Sequence, residues 1–279
     1  MAALDRLYEA VSQDLCEILK DLRPVTFRVV RTPEELEAAS QLVYREYLKR
    51  GYENPNATRA RLSIYHALPE TRALIAVSRR QIIGTMTIIQ DSPLGLPMDT
   101  IYKPELDTMR AQGHRLAEAS MLSFDRDLFR SQGLAKFQPL QLALILRLFK
   151  LMFDYLRGCT PVTELVACFN PRHQGLYDFL HLKPMGGMKP YSVVNGNPAV
   201  ASHLNIAQTE LISKHHPVLR FFYGKRHSVP STHFDNKLSP EQLLQMIFSS
   251  AGSEGTLAFY SKLLTEIFSP DLLPAPALN

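Results

Sequence analysis

The chain has 279 residues, 46% of them hydrophobic and 21% charged, with a net charge of +4. That length supports a sizeable core, and the composition excludes a disordered, collagen-like or disulfide-scaffold protein. The charge is too small to argue for nucleic acid, and the cysteines Cys16, Cys159 and Cys168 make neither a CxxC pair nor a zinc spacing, so a reducing, cytoplasmic setting with no metal is expected.

Apolar residues at Leu4, Leu7, Tyr8, Val11, Leu15, Ile18, Leu19 and Leu22 predict an amphipathic helix, and the acids interspersed among them argue against a secretory signal. Residues 27–31 read as a short strand. Thr32-Pro33-Glu34-Glu35 is a capping box with proline at the first helical position, which predicts a helix to Arg50 ended by Gly51. Residues 52–61 form a polar loop. Residues 73–78 and 82–90 are β-rich runs joined by Arg79-Arg80-Gln81, and they predict a hairpin. A break over 91–97 and a short helix over 103–112 lead to a strand over 115–124.

The most apolar stretch, residues 140–156, carries Arg147, Lys150 and Asp154, and Arg157 follows. At intervals of three and four these charges form one stripe. That fits a core helix from about Pro139 to Gly158 with one wet face, and excludes a membrane span. A strand over 164–169, a helix over 171–182 and strands over 190–194 and 199–205 come next. Helical segments over 209–222, 240–249 (capped by Ser239) and 256–268 end the chain. This order predicts a mixed α/β domain with one central sheet over residues 1–205, and a C-terminal helical extension, 206–279, packed on it.

Three stretches carry chemistry. The first is Arg115-Leu116-Ala117-Glu118-Ala119-Ser120-Met121-Leu122-Ser123-Phe124, a strand with a carboxylate in its middle. Strand alternation puts Glu118 on one face with Leu116, Ser120 and Leu122, and a carboxylate there is costly unless it has a task or a partner. Either it accepts a proton from an amine or it forms a structural salt bridge, with Arg45 as the partner. The second is Arg130-Ser131-Gln132-Gly133-Leu134-Ala135, either a phosphate-gripping turn at a helix start or an exposed basic turn. The third runs from Asn170 to Tyr177, ahead of Phe179-Leu180-His181-Leu182 and Gly186. Tyr177 is either an acid or a core aromatic. His173 and the pair His215-His216 complete no metal site.

In order and spacing the three stretches resemble the acyl-cofactor core of GNAT acyltransferases over roughly residues 27–205. Leu116-Ala117-Glu118-Ala119-Ser120, Asn170-Pro171-Arg172-His173 with Tyr177, and Tyr191-Ser192-Val193-Val194-Asn195-Gly196 are most similar to the N-acyl amino acid synthases, relatives of acyl-homoserine-lactone synthases. The resemblance implies a GNAT-like mixed sheet flanked by helices. It implies an N-acyltransferase that moves a long-chain acyl group from acyl carrier protein to the amine of an amino acid such as tyrosine. No cofactor is bound permanently; the donor is acyl-phosphopantetheine on the carrier, or acyl-CoA. The implied roles are Glu118 as base, Tyr177 as acid for the departing thiolate, and Met121, Leu122 and Ser123 as a strand-like cradle for the pantetheine arm. Arg130, Gly133 and Asn170 are placed around the donor, and Arg45 and Ser120 toward the acceptor. Met121, where related synthases carry arginine, and the lack of tryptophan point away from a lactone product. Arg126, Arg130 and Lys136 give a basic rim suited to an acidic carrier protein. Two alternatives stay open: a GNAT N-acetyltransferase using acetyl-CoA on another amine, and a non-catalytic acyl-binding module on the same fold.

Overall fold

The computed structural model describes residues 25–127, 138–225, 228–235 and 238–250. The helices expected over 4–22 and 256–268, and the residues Arg130, Gly133 and Lys136, lie outside them. The chain opens with strand β1 (Val25–Val29) and helix α1 (Pro33–Leu48). Thr32 caps α1, its side chain accepting from the Glu35 N–H at 3.3 Å. The reciprocal half of the capping box is rearranged. The Glu35 carboxylate accepts from the Arg31 N–H at 2.9 Å and twice from the Arg28 guanidinium at 2.7 Å, which ties the helix start to β1.

Strands β2 (Arg72–Ser78) and β3 (Gln81–Gln90) make the expected hairpin. Arg79 and Arg80 both take positive φ, 48° and 67°, as a two-residue turn matched to strand twist demands. Helix α2 (Asp99–Ala111), strand β4 (Leu116–Phe124), helix α3 (Gln138–Cys159), strand β5 (Glu164–Phe169) and helix α4 (Gln174–Phe179) follow. Strands β6 (Lys183–Tyr191) and β7 (Asn197–Asn205) complete the sheet, and helices α5 (Ile206–Ser213), α6 (Pro217–Tyr223) and α7 (Pro240–Ser250) come after it. The seven strands lie in the order β1-β2-β3-β4-β5-β7-β6. All neighbours are antiparallel except β4 and β5.

Strand β6 corrects the sequence reading, which ran a helix to 182 and placed a strand at 190–194. The helix ends at Phe179, and residues 192–194 form a 3-10 turn. Pro184, Gly186, Gly187 and Pro190 disguise β6 as loop. They are tolerated because among the described residues β6 is the sheet edge and pairs only with β7, and a register shift between Met185 and Lys189 absorbs the glycines.

Helix α3 covers one face of the sheet, where Leu144, Leu148, Phe149, Met152 and Phe153 pack with Leu74, Met86 and Ile88. On the other face, Leu36 and Ala39 of α1 meet Ile75 together with Leu243 and Leu244 of α7. Tyr102 and Leu106 of α2 meet Ile89, Val166 and Met185. The C-terminal helices share these clusters, with Leu219 and Phe222 of α6 joining Phe153.

The charged stripe on α3 exists, but it is not wet. Lys150 is 1% exposed; its Nζ lies 2.5 Å from Asp154 Oδ1 and 2.7 Å from Ser228 Oγ. Asp154 also accepts from the Val229 N–H at 3.4 Å. Arg147 stands over the Phe27 ring at 5.3 Å, and Arg157 pairs with Glu210 above Tyr223. Ser228, Val229 and Glu210 of the C-terminal segment cover the stripe from Lys150 to Arg157, and Phe27 of β1 covers it at Arg147. Burial holds the Lys150 ammonium below the ordinary lysine range, with Asp154 opposing the shift.

Candidate active site

Strands β4 and β5 pair at three positions only, Leu116↔Glu164, Ala117↔Leu165 and Glu118↔Val166. Strand β5 meanwhile pairs with β7 along its whole length. Beyond Glu118 the two parallel strands part, and the wedge between them opens into a cavity of about 930 Å³. From Ala119 onward the β4 edge facing β5 has no strand partner among the described residues. Its backbone polar groups therefore line the wedge and need a partner there. On the opposite edge β4 carries a bulge. Thr87 pairs with Ser120 and Thr85 with Ser123, so Met121 and Leu122 face Met86 alone. Met121 sits at φ 56°, a left-handed conformation rarely adopted by such a residue. The expected alternation therefore runs from Leu116 through Glu118 to Ser120 and breaks before Leu122.

Glu118 lies where the wedge begins and is 2% exposed. Its Oε2 accepts from the Met98 N–H at 3.0 Å, and the Ser120 side chain also bonds to it. Burial pushes the carboxyl up to about 8 against these two bonds, with the charge of Asp99 adding a little. Arg45 is not its partner. That side chain pairs with Asp125 at 3.5 Å at the surface and does not line the cavity.

Ser120, Met121, Leu122 and Ser123 all line the cavity. The Ser123 hydroxyl is buried with no hydrogen-bond partner among the described residues, an orphaned donor on the strand expected to hold the pantetheine arm. Tyr177 reaches the cavity from α4, its ring stacked on Phe169 (centroids 3.6 Å apart, planes at 3°) and edge-on to Phe149. Burial, with Tyr47, Cys168 and Glu118 nearby, raises its phenol well above the usual range and keeps it protonated. Asn170 lines the mouth, where its Oδ1 accepts from the Arg172 N–H at 3.2 Å and its Nδ2 donates to the Pro198 carbonyl at 3.3 Å. One cavity thus gathers Glu118, Ser120, Met121, Leu122, Ser123, Asn170 and Tyr177; Arg45 stands outside it.

Other lining residues gave no sequence signal. Tyr47 looked like one more position of a helix, and Tyr191 stood in a motif without a role. Both phenols are raised, first by burial, and both feel Glu118. Cys168 is on the wall, and burial beside Glu118 pushes its thiol up. A protonated thiol is no nucleophile. His173 is held down to about 4 by burial and by the cations Arg172, Arg50 and Arg126, of which Arg50 and Arg126 also line the cavity.

Residues 52–65 arch over the cavity and are tied to the turn after β6. Asn195 and Asn197 donate to the Gly51 carbonyl at 3.2 and 3.1 Å, and the Asn54 and Asn195 amides exchange two bonds of 3.2 Å. Arg61 donates to the Val193 carbonyl at 2.9 Å, and Arg172 to the Tyr52 hydroxyl at 2.7 Å.

The family model for the N-acyl amino acid synthase FeeM matches residues 38–205, the stretch that contains every residue just placed at the cavity. The chain belongs to the FeeM family of N-acyl amino acid synthases. Among solved structures it is similar to FeeM, an N-acyl amino acid synthase from uncultured soil microbes. Identity is 27%, covering 67% of this chain and 93% of that one, with a TM-score of 0.57. It is also similar to a CoA-dependent acyl-homoserine lactone synthase, BjaI, at 15% identity, 76% and 91% coverage and a TM-score of 0.48. An N-acetyltransferase from Staphylococcus aureus Mu50 matches at 10% identity, 66% and 98% coverage and a TM-score of 0.43. No curated protein matches the sequence. The FeeM-family chain shares the fold of FeeM and is an N-acyltransferase.

Proposed function

We propose that this FeeM-family enzyme transfers a long-chain fatty acyl group from acyl carrier protein to the amino group of an amino acid. The observation that carries the reading is the cavity at Glu118. Its volume of about 930 Å³ is near the top of the roughly 300–1,000 Å³ range of small-molecule sites, far more room than an acetyl group needs. Leu62, Ile64, Leu94, Ile145 and Leu176 give it apolar walls suited to an alkyl chain. The pantetheine arm lies along the free edge of β4, beside the orphaned Ser123 hydroxyl.

The acceptor's ammonium gives one proton to Glu118, directly or through water, and the neutral amine attacks the thioester carbonyl, forming the C–N bond. Backbone N–H groups at the β4 bulge stabilise the tetrahedral oxyanion. On collapse the C–S bond breaks, the thiolate takes the Tyr177 proton, and the phenol is restored by the second proton that nitrogen loses as the amide forms. No covalent enzyme intermediate is needed, in keeping with the protonated Cys168. The basic rim of Arg50, Arg126 and Arg172 steers an acidic carrier protein toward the mouth. No helix among the described residues is long and apolar enough to cross a membrane, and the free thiols Cys159 and Cys168 suit the reducing cytoplasm.

Mass spectrometry of lipid extracts from cells overproducing the protein is expected to show long acyl chains amide-linked to amino acids. Acetylated small amines alone would replace this reading by the acetyltransferase one. Tyr177→Phe removes only a hydroxyl, so the protein stays folded while kcat falls roughly 100-fold; single-turnover assays with a long-chain acyl thioester check this.

A further inference from the structure

We propose that Arg61 binds the carboxylate of the acceptor, so that the enzyme selects free α-amino acids over simple amines. This rests on the acyl-transfer reading above and adds a subsite to it. Arg61 lies in the segment that arches over the cavity and lines that cavity together with Glu118, Tyr47 and Tyr191. A guanidinium offers five N–H donors in a planar fork. Here Nη1 pairs with Glu53, Nη2 donates to the Val193 carbonyl, and the Tyr47 ring lies 4.9 Å from the guanidinium carbon. The Nε–H is buried and has no acceptor among the described residues. A buried donor left without a partner is costly, and the Nε–H together with the second Nη2 hydrogen can donate two parallel bonds to a carboxylate.

The other cavity arginines are engaged differently: Arg50 and Arg126 lie against the buried Glu46 carboxylate, Arg50 at 3.1 Å and Arg126 at 4.0 Å. The phenols of Tyr47 and Tyr191 each feel both Arg61 and Glu118, so the cation and the carboxylate act on the same part of the cavity. An α-amino acid presents its amine to Glu118 and its carboxylate to Arg61. Glu53 compensates the guanidinium while the subsite is empty.

The test compares kcat/KM for tyrosine and for tyrosinamide as acceptors, with one long-chain acyl thioester as donor. The amide's amine is less basic and more available in neutral form at pH 7.5, so chemistry alone favours the amide. The wild type is expected to favour the free acid at least 10-fold, the order of a charge-assisted bidentate contact. Arg61→Gln is expected to bring the acid-to-amide ratio to one or below, and Arg61→Lys, which keeps the charge without the fork, to lower it partway. The ratio does not depend on the fraction of enzyme folded. If Arg61→Gln yields no active protein, the Arg61→Lys ratio decides. A wild type that prefers the amide, or variants that leave the ratio unchanged, overturn the subsite while acyl transfer itself stands. Failure to acylate either acceptor overturns both.

Discussion

Glu118→Gln is expected to lower kcat/KM by roughly 100- to 10,000-fold at pH 7, the largest single effect at this site. The substitution keeps the side chain's shape and removes its basicity. Because burial places the carboxyl near 8, the pH profile carries a signature. Wild-type activity climbs as Glu118 ionises, then levels off above about pH 8, because a carboxylate that takes its proton from an incoming ammonium gains nothing more. The variant depends on amine that is already neutral, so it keeps climbing toward the amine's own pKa and its deficit shrinks. Steady-state kinetics from pH 6 to 10 check this. A Glu118→Gln protein with wild-type turnover at pH 7 would show that the carboxylate is structural. Stability gives a second readout. A carboxyl raised from 4.5 to about 8 holds its proton in the folded state after the unfolded chain has lost it. Its contribution is full below pH 4.5 and declines as pH rises, up to the folded value. Wild type should therefore lose stability relative to Glu118→Gln between those limits, with a constant difference above pH 8.

The second large effect lies away from the cavity. Lys150→Ala leaves Asp154 buried, with Ser228 and the Val229 N–H as partners but without its cation. The expected cost is about 3–5 kcal/mol in urea denaturation. The double replacement Lys150→Met, Asp154→Leu removes both charges and should recover most of that loss. Activity per folded molecule should be unchanged in both, since neither residue lines the cavity. A Lys150→Ala protein as stable as wild type would mean that water or a neighbouring cation compensates Asp154.

What the sequence revealed, and what it hid, follows from how local each cause is. The cap at Thr32 and the Arg79-Arg80 turn depend on neighbours in the chain, so they were legible. Glu118 was legible as a charge amid apolar strand positions, and Tyr177 came only through the resemblance, as the tyrosine of the family's Asn-then-Tyr pattern. The bulge at Met121 was not, because nothing in Ser120-Met121-Leu122 announces a left-handed backbone; it follows from pairing with β3. Strand β6 was hidden by its prolines and glycines, which only an edge position excuses. The stripe on α3 looked solvated because its cover comes from residues distant in the chain, Ser228, Val229 and Glu210 on one side and Phe27 on the other. Arg61 was invisible for the same reason: it sits in an irregular loop, and only the fold brings it to the cavity of Glu118.

The ties that fasten residues 52–65 over that cavity are made by asparagine amides, backbone carbonyls, a phenol and guanidinium groups. Amides and carbonyls do not titrate, and a guanidinium keeps its charge throughout the working range. Apart from the Tyr52 phenol and the Glu53 carboxylate that pairs with Arg61, the ties over the active site therefore carry no titrating group. A titration of this enzyme's turnover near neutral pH therefore reads the groups that line the cavity, Glu118 among them, rather than the amide and carbonyl fastenings above it.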